Sequence, residues 1–334
     1  MLDPRMELVD LHIHVGAAVA PHILWSIAHD QGFKLPVQTY WEFRDLVTAR
    51  PEKVASLGDY LAILHQWTEK IQSSPAAIER SVYEVIGKEF RSSTVTMIEL
   101  RFNPMKRNLG GERDLDHIIH AALRGMDRAG LEYGVKAGLI FCLAREFSLE
   151  LNEILVKKAV KYRARGVVGI DLAGPEVHTL ELGDDVEGYR DLFARARRAG
   201  LGTTVHTGET PYTAVPGVLA VIDKLSPSRI GHGVAAASSD EAVRKLAETG
   251  TVLEICPSSN LRTHAVANLV ELGNALRTFE AAGVRYTINT DGPYLLNTHL
   301  RQEYELLMGA GILNDALVDK TIAVARRASF LSSH

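Results

Sequence analysis

The chain has 334 residues, of which 46% are hydrophobic and 23% charged, a composition typical of a globular protein with a sizeable core. Its net charge of −4 comes from interspersed acidic and basic residues, so the sequence does not indicate a nucleic-acid-binding or membrane-binding surface. The sequence has no apolar run of roughly 18 residues and no secretory leader pattern. It also has no disulfide framework, since only Cys142 and Cys256 occur. These features favour a cytoplasmic protein.

Eight apolar, β-rich segments recur along the chain, and amphipathic helical patterns separate them. In chain order the predicted strands are residues 7–15, 95–104, 133–144, 167–176, 201–209, 228–234, 251–260 and 285–293. Several of these segments are apolar along most of their length, which is typical of parallel strands covered by helices. Eight β–α units in a chain of this length predict an α/β fold, a (β/α)8 TIM barrel, in one domain over residues 1–334.

The connection between the first and second predicted strands is unusually long. Residues 16–94 contain several helical patterns, including residues 58–72 and 76–93. Because the active site of such a barrel lies at the C-terminal ends of the strands, we expect this insertion to overhang the site as a helical lid. A later connection reads as a single amphipathic helix that begins after the N-cap residue Ser239 and stops at Gly250.

Six ionisable side chains lie at the predicted C-terminal ends of four strands: His12 and His14 on the first, His206 and Glu209 on the fifth, His232 on the sixth and Asp291 on the eighth. The two histidines of the first strand point to the same face, because side chains alternate along a strand. We expect the six groups to converge at one barrel mouth, since burying each of them without a partner would be costly. The nine other histidines fall in predicted helices, loops or the C-terminal tail, and we expect structural roles for them.

Three neutral imidazoles and one carboxylate form a donor set that suits zinc or another first-row divalent metal. We assign one Zn²⁺ per chain to the ligands His12, His14, His206 and Asp291. Glu209 follows a Thr–Gly turn that can direct its carboxyl back over the mouth, so it is assigned to proton exchange with the substrate. His232 is assigned to orienting the hydroxide and stabilising the developing charge. The alternative for Glu209 is an N-cap or first-turn acid of the next helix.

Several motifs resemble those of the adenosine deaminase family of metal-dependent hydrolases. The segment DLHIHV is similar to the family's first-strand His-x-His motif, and VHTGE is similar to its His-Ala-Gly-Glu motif. The segments IELRFNP, GIDLAGPE, RIGHG, EICPSSN, NTDGP and the terminal ARRASF also match, in the right order across nearly the whole chain. The resemblance implies a zinc-dependent barrel enzyme that removes the amino group of adenosine or a related aminopurine nucleoside.

The resemblance also implies a role for each site residue. It implies that the four ligands named above bind zinc, and that Glu209 protonates the purine N1 while hydroxide attacks C6 with the help of His232. Gly174, within LAGPE, would give its backbone N–H to the purine N3. His14 and Gly292 would line the same substrate site. Ammonia then leaves, and an oxo product remains.

Three positions depart from the family's pattern. Gly16 and Pro175 stand where the family usually has acidic residues, the first of which touches the ribose hydroxyls. Gly292 stands where the adenosine enzymes have a second aspartate that faces the purine N7. Replacing that carboxyl with hydrogen is expected to open space beside the base and to remove one polar partner. The sequence therefore supports the reaction better than it supports adenosine as the substrate.

Other functions stay open at this point. The same chemistry could act on free adenine, a modified adenosine or another aminated heterocycle. A two-metal amide or phosphoester hydrolase of the wider amidohydrolase group usually has a carboxylated lysine at the end of the fourth strand, whereas residues 167–176 contain no lysine and Lys136 lies early in the third. A cysteine-ligated cytidine deaminase would need a second cysteine near Cys256 as a zinc ligand. A binding protein whose barrel has lost its catalytic activity would be expected to lack a metal ligand, Glu209 or His232. The expected partner is a small molecule rather than a nucleic acid or a membrane.

Overall fold

The computed structural model describes residues 2–109, 111–177 and 185–333. Eight parallel strands form one sheet in which each strand pairs with its neighbour in chain order. Their bounds are β1 Leu8–His14, β2 Val95–Phe102, β3 Lys136–Ala144, β4 Val167–Ala173, β5 Gly202–Thr207, β6 Arg229–His232, β7 Val252–Ile255 and β8 Tyr286–Ile288. Each strand lies inside its predicted segment, so the predicted (β/α)8 barrel is confirmed.

A short backbone bridge closes the barrel between its last and first strands. Ile13 and Asp291 pair in parallel. The His14 N–H donates to the Asp291 carbonyl at 2.7 Å, and the Asp291 N–H donates to the His12 carbonyl at 2.8 Å. Because β8 stops at Ile288, Asp291 lies in the loop beyond the strand, and the bridge fixes it against the histidines of β1.

Fifteen α-helices cover the strands in the described part of the chain. They are α1 Val15–Ala18, α2 Pro21–Asp30, α3 Tyr40–Leu46, α4 Leu57–Ile63, α5 Glu69–Ile71, α6 Pro75–Ser93, α7 Leu115–Tyr133, α8 Leu149–Lys161, α9 Val186–Arg198, α10 Ala214–Leu225, α11 Asp240–Thr249, α12 Pro257–Arg262, α13 Leu269–Ala282, α14 Leu300–Gly309 and α15 Asp315–Ala328. A π-helical turn, Leu64–Thr68, joins α4 to α5. The predicted caps of α11 are confirmed, because the Ser239 side chain accepts from the Ala242 N–H and Gly250 follows the helix at φ +66°.

The long connection after β1 contains α1 to α6, and it is attached to the end of the barrel where the strands stop. Tyr60 of α4 packs in one apolar cluster with Ala17 and with Leu295 from the loop beyond β8. The Ala49 N–H donates to the Leu295 carbonyl at 2.8 Å, and Arg262 of α12 donates to the Ala49 carbonyl at 2.6 Å. These contacts hold the insertion against loops that follow β7 and β8.

An ionic network fills part of the barrel interior. Arg229 contacts Glu99 at 2.5 Å and Glu254 at 2.6 Å, and Arg101 contacts Glu254 at 2.9 Å and Asp171 at 3.1 Å. All five side chains are buried. Burial alone would raise the pKa of Glu254, but the charges of Arg101 and Arg229 hold that pKa well below its usual range. Glu254 therefore stays ionised, and its burial depends on the two arginines.

We expect Arg229→Met to lower the free energy of unfolding by about 3–5 kcal/mol, because it removes the arginine paired with the buried Glu99 and leaves Glu254 with Arg101 alone. Denaturant unfolding at neutral pH measures this change. Lys157→Met is the control, since Lys157 pairs with Glu153 at 2.9 Å on an exposed helix surface, and its loss should cost less than about 1 kcal/mol. Equal effects of the two substitutions would contradict the prediction.

Two expectations from composition concern the state of the cysteines and the presence of a membrane-spanning helix. Cys142 lies in β3 and Cys256 directly follows β7, and both are buried free thiols. The expectation that they form no disulfide is therefore confirmed. Among the described residues, no helix combines the length and the apolar character needed to cross a bilayer.

Candidate active site

His12, near the end of β1, is held by a buried carboxylate. Its Nδ1 lies 2.8 Å from Glu254 Oε2, and because Glu254 is ionised, Nδ1 carries the hydrogen and donates it. Nε2 is therefore the atom whose lone pair a neutral ring would present to the barrel mouth, where it is buried and has no hydrogen-bond partner among the described residues. An imidazole oriented in this way by a carboxylate is typical of metal-binding histidines.

His206, on β5, is held by a second buried carboxylate. Its Nδ1 lies 3.1 Å from Asp171 Oδ1, so Nδ1 donates and Nε2 keeps a lone pair. Burial lowers the pKa of both His206 and His14, which favours neutral rings that can act as ligands. The Nε2 atoms of His14 and His206 face each other at 3.1 Å. The structure thus brings histidines from β1 and β5 to one point.

Asp291 reaches the same point from the loop beyond β8. Its Oδ1 lies 3.6 Å from His12 Nε2 and 3.5 Å from His14 Nε2, while its Oδ2 accepts from Ser259 Oγ at 2.6 Å. Burial alone would raise the pKa of Asp291, but the imidazoles of His12 and His14 hold it well below its usual range. The residue has φ +62°, a left-handed conformation that is uncommon for a residue with a side chain. The backbone bridge to β1 holds it there.

Four side chains are arranged so that they could serve as ligands of one divalent metal ion: His12, His14, His206 and Asp291. Side-chain nitrogens of His12, His14 and His206 lie within 4.8 Å of one another, and Asp291 Oδ1 faces two of these rings. Their remaining polar atoms are largely occupied by Glu254, Asp171 and Ser259, which leaves lone pairs directed at one space. A cation in that space would satisfy the buried Nε2 of His12, which otherwise has no partner. Three imidazoles and one carboxylate suit zinc and its neighbours in the first transition row.

Glu209 lies in the turn after β5 rather than in a helix. Gly208, directly before it, has φ +69°, a conformation that a residue without a side chain adopts readily. The next helix, α10, begins only at Ala214. The alternative interpretation of Glu209 as a helix cap or first-turn acid is therefore wrong, and the turn directs its carboxyl into the mouth.

The Glu209 carboxyl is buried beside His232. Its Oε2 lies 3.5 Å from His232 Nε2, and its Oε1 has no hydrogen-bond partner among the described residues. Burial, and then the negative charges of Glu176 and Asp291, raise the pKa of Glu209 well above its usual range. A raised pKa favours the carboxylic acid form, the form of this side chain that can donate a proton.

His232 is a neutral hydrogen-bond donor at the end of β6. The Asn260 amide accepts from the Cys256 N–H at 3.3 Å through Oδ1, so its Nδ2 donates to His232 Nδ1 at 3.0 Å. The hydrogen of the imidazole is consequently on Nε2, the atom that faces Glu209. Burial, and then the neighbouring His12, lower the pKa of His232 well below its usual range.

Glu176 is a site residue that the motif analysis did not single out. Its buried carboxylate accepts from the Thr210 N–H at 2.7 Å, from Thr213 Oγ1 at 2.8 Å and from the Glu209 N–H at 3.4 Å. It therefore fixes the turn that carries Glu209. Asp171 and Glu254 were also not singled out by the motif analysis, and they orient His206 and His12. The available signal was an acid inside or just after an otherwise apolar strand, which needs a buried partner.

Two of the three positions that depart from the family's pattern are not open space. A Cβ at Gly292 would overlap the Tyr60 hydroxyl oxygen and lie 2.7 Å from the Ala17 Cβ. The expectation that Gly292 opens space beside the substrate is therefore wrong. A Cβ at Gly16 would lie 3.0 Å from Arg107 Nη2 and 3.2 Å from Glu69 Cγ. Side chains of the helical insertion and its neighbours occupy both places, which a motif comparison confined to the strand ends could not reveal.

Two cavities adjoin the site. One of about 50 Å³ is lined by His14, Gly16 and Gly174, the last with φ +107° directly after β4. A second of about 690 Å³ lies between the insertion and the loops after β4 and β5, and Pro175 is part of its wall. His65, one of the nine histidines expected to be structural, lines both cavities, and its Nδ1 lies 2.5 Å from a Glu69 carboxylate oxygen. Of the other eight, His178 and His334 lie outside the described residues.

Comparisons with known proteins agree with this geometry. The sequence profile of the family described as adenosine deaminase matches residues 7–334. The adenosine deaminase of Shewanella denitrificans is 30% identical over 316 residues, which cover 95% of this chain and 92% of that protein. The aminodeoxyfutalosine deaminase of Acidothermus cellulolyticus is 31% identical over 333 residues, which cover 98% of this chain and 89% of that protein.

Solved structures share the fold. The adenine deaminase of Arthrobacter aurescens matches with a TM-score of 0.83 at 20% identity, covering 98% of this chain and 97% of that one. An amidohydrolase of Burkholderia ambifaria with bound Zn matches with a TM-score of 0.84 at 21% identity, covering 98% and 86%. At these identities the structures establish the barrel, while the family profile and the sequence relatives establish the family and its hydrolytic deaminase activity. The chain belongs to the adenosine deaminase family.

Proposed function

We propose that this protein is a zinc-dependent hydrolytic deaminase of adenosine or a related aminopurine nucleoside. One observation carries the proposal: a buried carboxylic acid and a neutral histidine donor face the same space as a metal donor set. The ligands of one Zn²⁺ per chain would be His12, His14, His206 and Asp291. When bound there, zinc would supply Lewis acidity and a nucleophile for hydrolysis near neutral pH. The Burkholderia amidohydrolase with bound Zn supports this choice of metal.

Glu209 is the proton donor in the proposed mechanism. Its raised pKa favours the protonated carboxyl, and Oε1 has no hydrogen-bond partner among the described residues. A ring nitrogen of the substrate that becomes more basic as C6 is attacked would accept this proton. The resulting carboxylate can then accept the proton of the hydroxyl that has added to C6 and pass it to the amine, which leaves as ammonia.

His232 stabilises the transition state in the proposed mechanism. Its Nε2–H faces the mouth, and the amide of Asn260 fixes the tautomer. A neutral donor oriented before the substrate arrives can stabilise the developing negative charge without reorganisation. The substrate would lie along His14, Gly292 and Gly174, whose backbone N–H is assigned to a ring nitrogen of the purine.

The insertion after β1 is proposed to act as the lid of this site within a single domain of residues 1–334. Two observations support this role: the insertion packs on loops that follow β7 and β8, and it lines the 690 Å³ cavity beside the site. A lid of this kind excludes water from the reacting groups. The cavity also leaves room for a substituent larger than a hydroxyl on the sugar.

The substrate is proposed to be an aminopurine nucleoside other than plain adenosine, or adenosine turned over slowly. The named relatives include an adenosine deaminase, an adenine deaminase and an aminodeoxyfutalosine deaminase, so the family's reaction is compatible with several amines. Gly16, Pro175 and Gly292 lack the acids that the adenosine enzymes carry. The two-metal alternative is not favoured, because β4 contains no lysine and Lys136 lies at the first, exposed position of β3.

The expected result of an ammonia-release screen is activity on at least one aminopurine. The purified protein is tested against adenosine, deoxyadenosine, adenine, N6-substituted and 5′-substituted adenosines and pterins. We expect adenosine to have a kcat/KM below roughly 10⁵ M⁻¹s⁻¹, with a larger value for a substrate that has a changed ring edge or ribose substituent. A value for adenosine above that threshold would identify a plain adenosine deaminase. Failure of every aminopurine to release ammonia would contradict the proposed function.

A further inference from the structure

The Tyr60 hydroxyl is a buried polar group that the insertion places beside Gly292, the residue after Asp291. Tyr60 is 4% exposed, and its hydroxyl has no hydrogen-bond partner among the described residues. The oxygen occupies the place that a Cβ at position 292 would take, one residue after Asp291.

A buried hydroxyl without a partner costs free energy, so its retention here needs a reason. The Tyr60 ring is fixed by apolar contacts with Ala17, Leu64, Leu295 and Leu296, and α4, which carries Tyr60, begins at the N-cap Ser56. Phenylalanine would make the same apolar contacts without leaving a polar atom unsatisfied. The hydroxyl is therefore not required for packing, and a ligand that accepts its hydrogen would explain it.

The phenol is a donor in this environment. Burial, followed by the negative charges nearby, raises the pKa of Tyr60 well above its usual range. Even an ordinary phenol is protonated at neutral pH. A heterocyclic substrate bound between Asp291 and Glu209 would bring ring nitrogens near Gly292 as acceptors, and a neutral O–H is a suitable partner for such a nitrogen.

We propose that Tyr60 is a specificity-determining residue of this site, whose hydroxyl donates a hydrogen bond to an acceptor atom on the ring edge of the bound substrate. The proposal rests on the proposed deaminase function. It assigns to the insertion a direct part in reading the substrate, in addition to covering it. It also explains why position 292 is a glycine, because any side chain there would displace the Tyr60 hydroxyl.

The test compares Tyr60→Phe with the wild-type protein on the best amine from the screen and on its 3-deaza and 7-deaza analogues. We expect Tyr60→Phe to lower kcat/KM about tenfold on the intact amine, the size of effect of one neutral hydrogen bond. The deaza analogue that lacks the accepting nitrogen should have a kcat/KM about tenfold below that of the intact amine with the wild-type protein. Tyr60→Phe should not lower the kcat/KM of that analogue further. Zinc content and the midpoint of thermal unfolding should stay unchanged. Calorimetric binding of the deaminated product gives a second readout that does not depend on turnover.

Tyr286→Phe is the matched control. Tyr286 is also buried and its hydroxyl has no hydrogen-bond partner among the described residues, but it lies at the first position of β8, away from the mouth. It should leave kcat/KM unchanged within about twofold. Tyr60→Phe with wild-type kinetics and product affinity, or with the same loss on the intact amine and on both analogues, would overturn the proposal. A wild-type protein that neither deaminates nor binds any aminopurine would overturn the proposed function and this inference with it.

Discussion

Glu209→Gln is expected to reduce kcat by two or more orders of magnitude while the protein keeps its metal. The reason is that glutamine preserves the size of the side chain and an N–H donor but cannot give up a proton. A positioned general acid contributes about 10²- to 10⁴-fold to a rate, and 100-fold corresponds to about 2.7 kcal/mol. Steady-state kinetics on the best amine from the screen, together with elemental analysis for zinc, measure the two quantities separately.

Glu89→Gln is the control for this substitution. Glu89, on α6, is likewise buried, both of its carboxylate oxygens lack a hydrogen-bond partner among the described residues, and burial raises its pKa to about 8. It therefore matches Glu209 in being buried with a raised pKa but lies outside the mouth. The control should retain wild-type kcat. Wild-type turnover by Glu209→Gln would mean that Glu209 has a structural role only.

His206→Ala and Asp291→Ala are expected to reduce zinc from about one ion per chain to a small fraction of that value and to abolish measurable deamination. Each substitution removes one of four converging donors, and three remaining ligands bind zinc much more weakly. Elemental analysis after dialysis against a weak chelator measures the metal. The fold should largely survive, because the barrel core rather than the site stabilises a chain of this size, and circular dichroism checks this.

His65→Ala is the control for the metal measurement. His65 lines the cavities beside the site, but its Nδ1 is occupied by Glu69, and its removal should leave zinc content unchanged. Two metal ions per chain in the wild-type protein would contradict the mononuclear assignment. So would full zinc occupancy in both His206→Ala and Asp291→Ala.

The strands and their polar ends were predictable because both signals are local in the sequence. Apolar runs of strand length separated by helical patterns define the barrel, and each of the eight strands lies within its predicted segment. The residues at the strand ends follow directly, because the C-terminal ends of parallel strands meet at one face. This is why the sequence alone predicts one group of site residues: His12, His14, His206, Glu209, His232 and Asp291.

The buried acids that orient the histidines were not predictable in the same way. Asp171 and Glu254 are single acids in apolar strands, and only the register between strands shows that they reach His206 and His12. Glu176 was visible in its motif, but its hydrogen bonds to the turn at Thr210 depend on how the loops after β4 and β5 pack. Their partners are distant in the sequence, so no spacing rule identifies them.

The sequence by itself determined the barrel, the family and the set of groups that carry out hydrolysis, because these depend on periodicity and on residues at fixed positions relative to the strands. Only the tertiary structure decided what fills the places of the missing acids. Tyr60 lies more than 200 positions before Gly292 in the chain, yet its hydroxyl takes the space beside that glycine. Glu69 likewise reaches the side of Gly16 from a different helix. The physical reason is that a side chain's volume excludes others through space, and which side chain takes a given space is set by the packing of the insertion on the barrel.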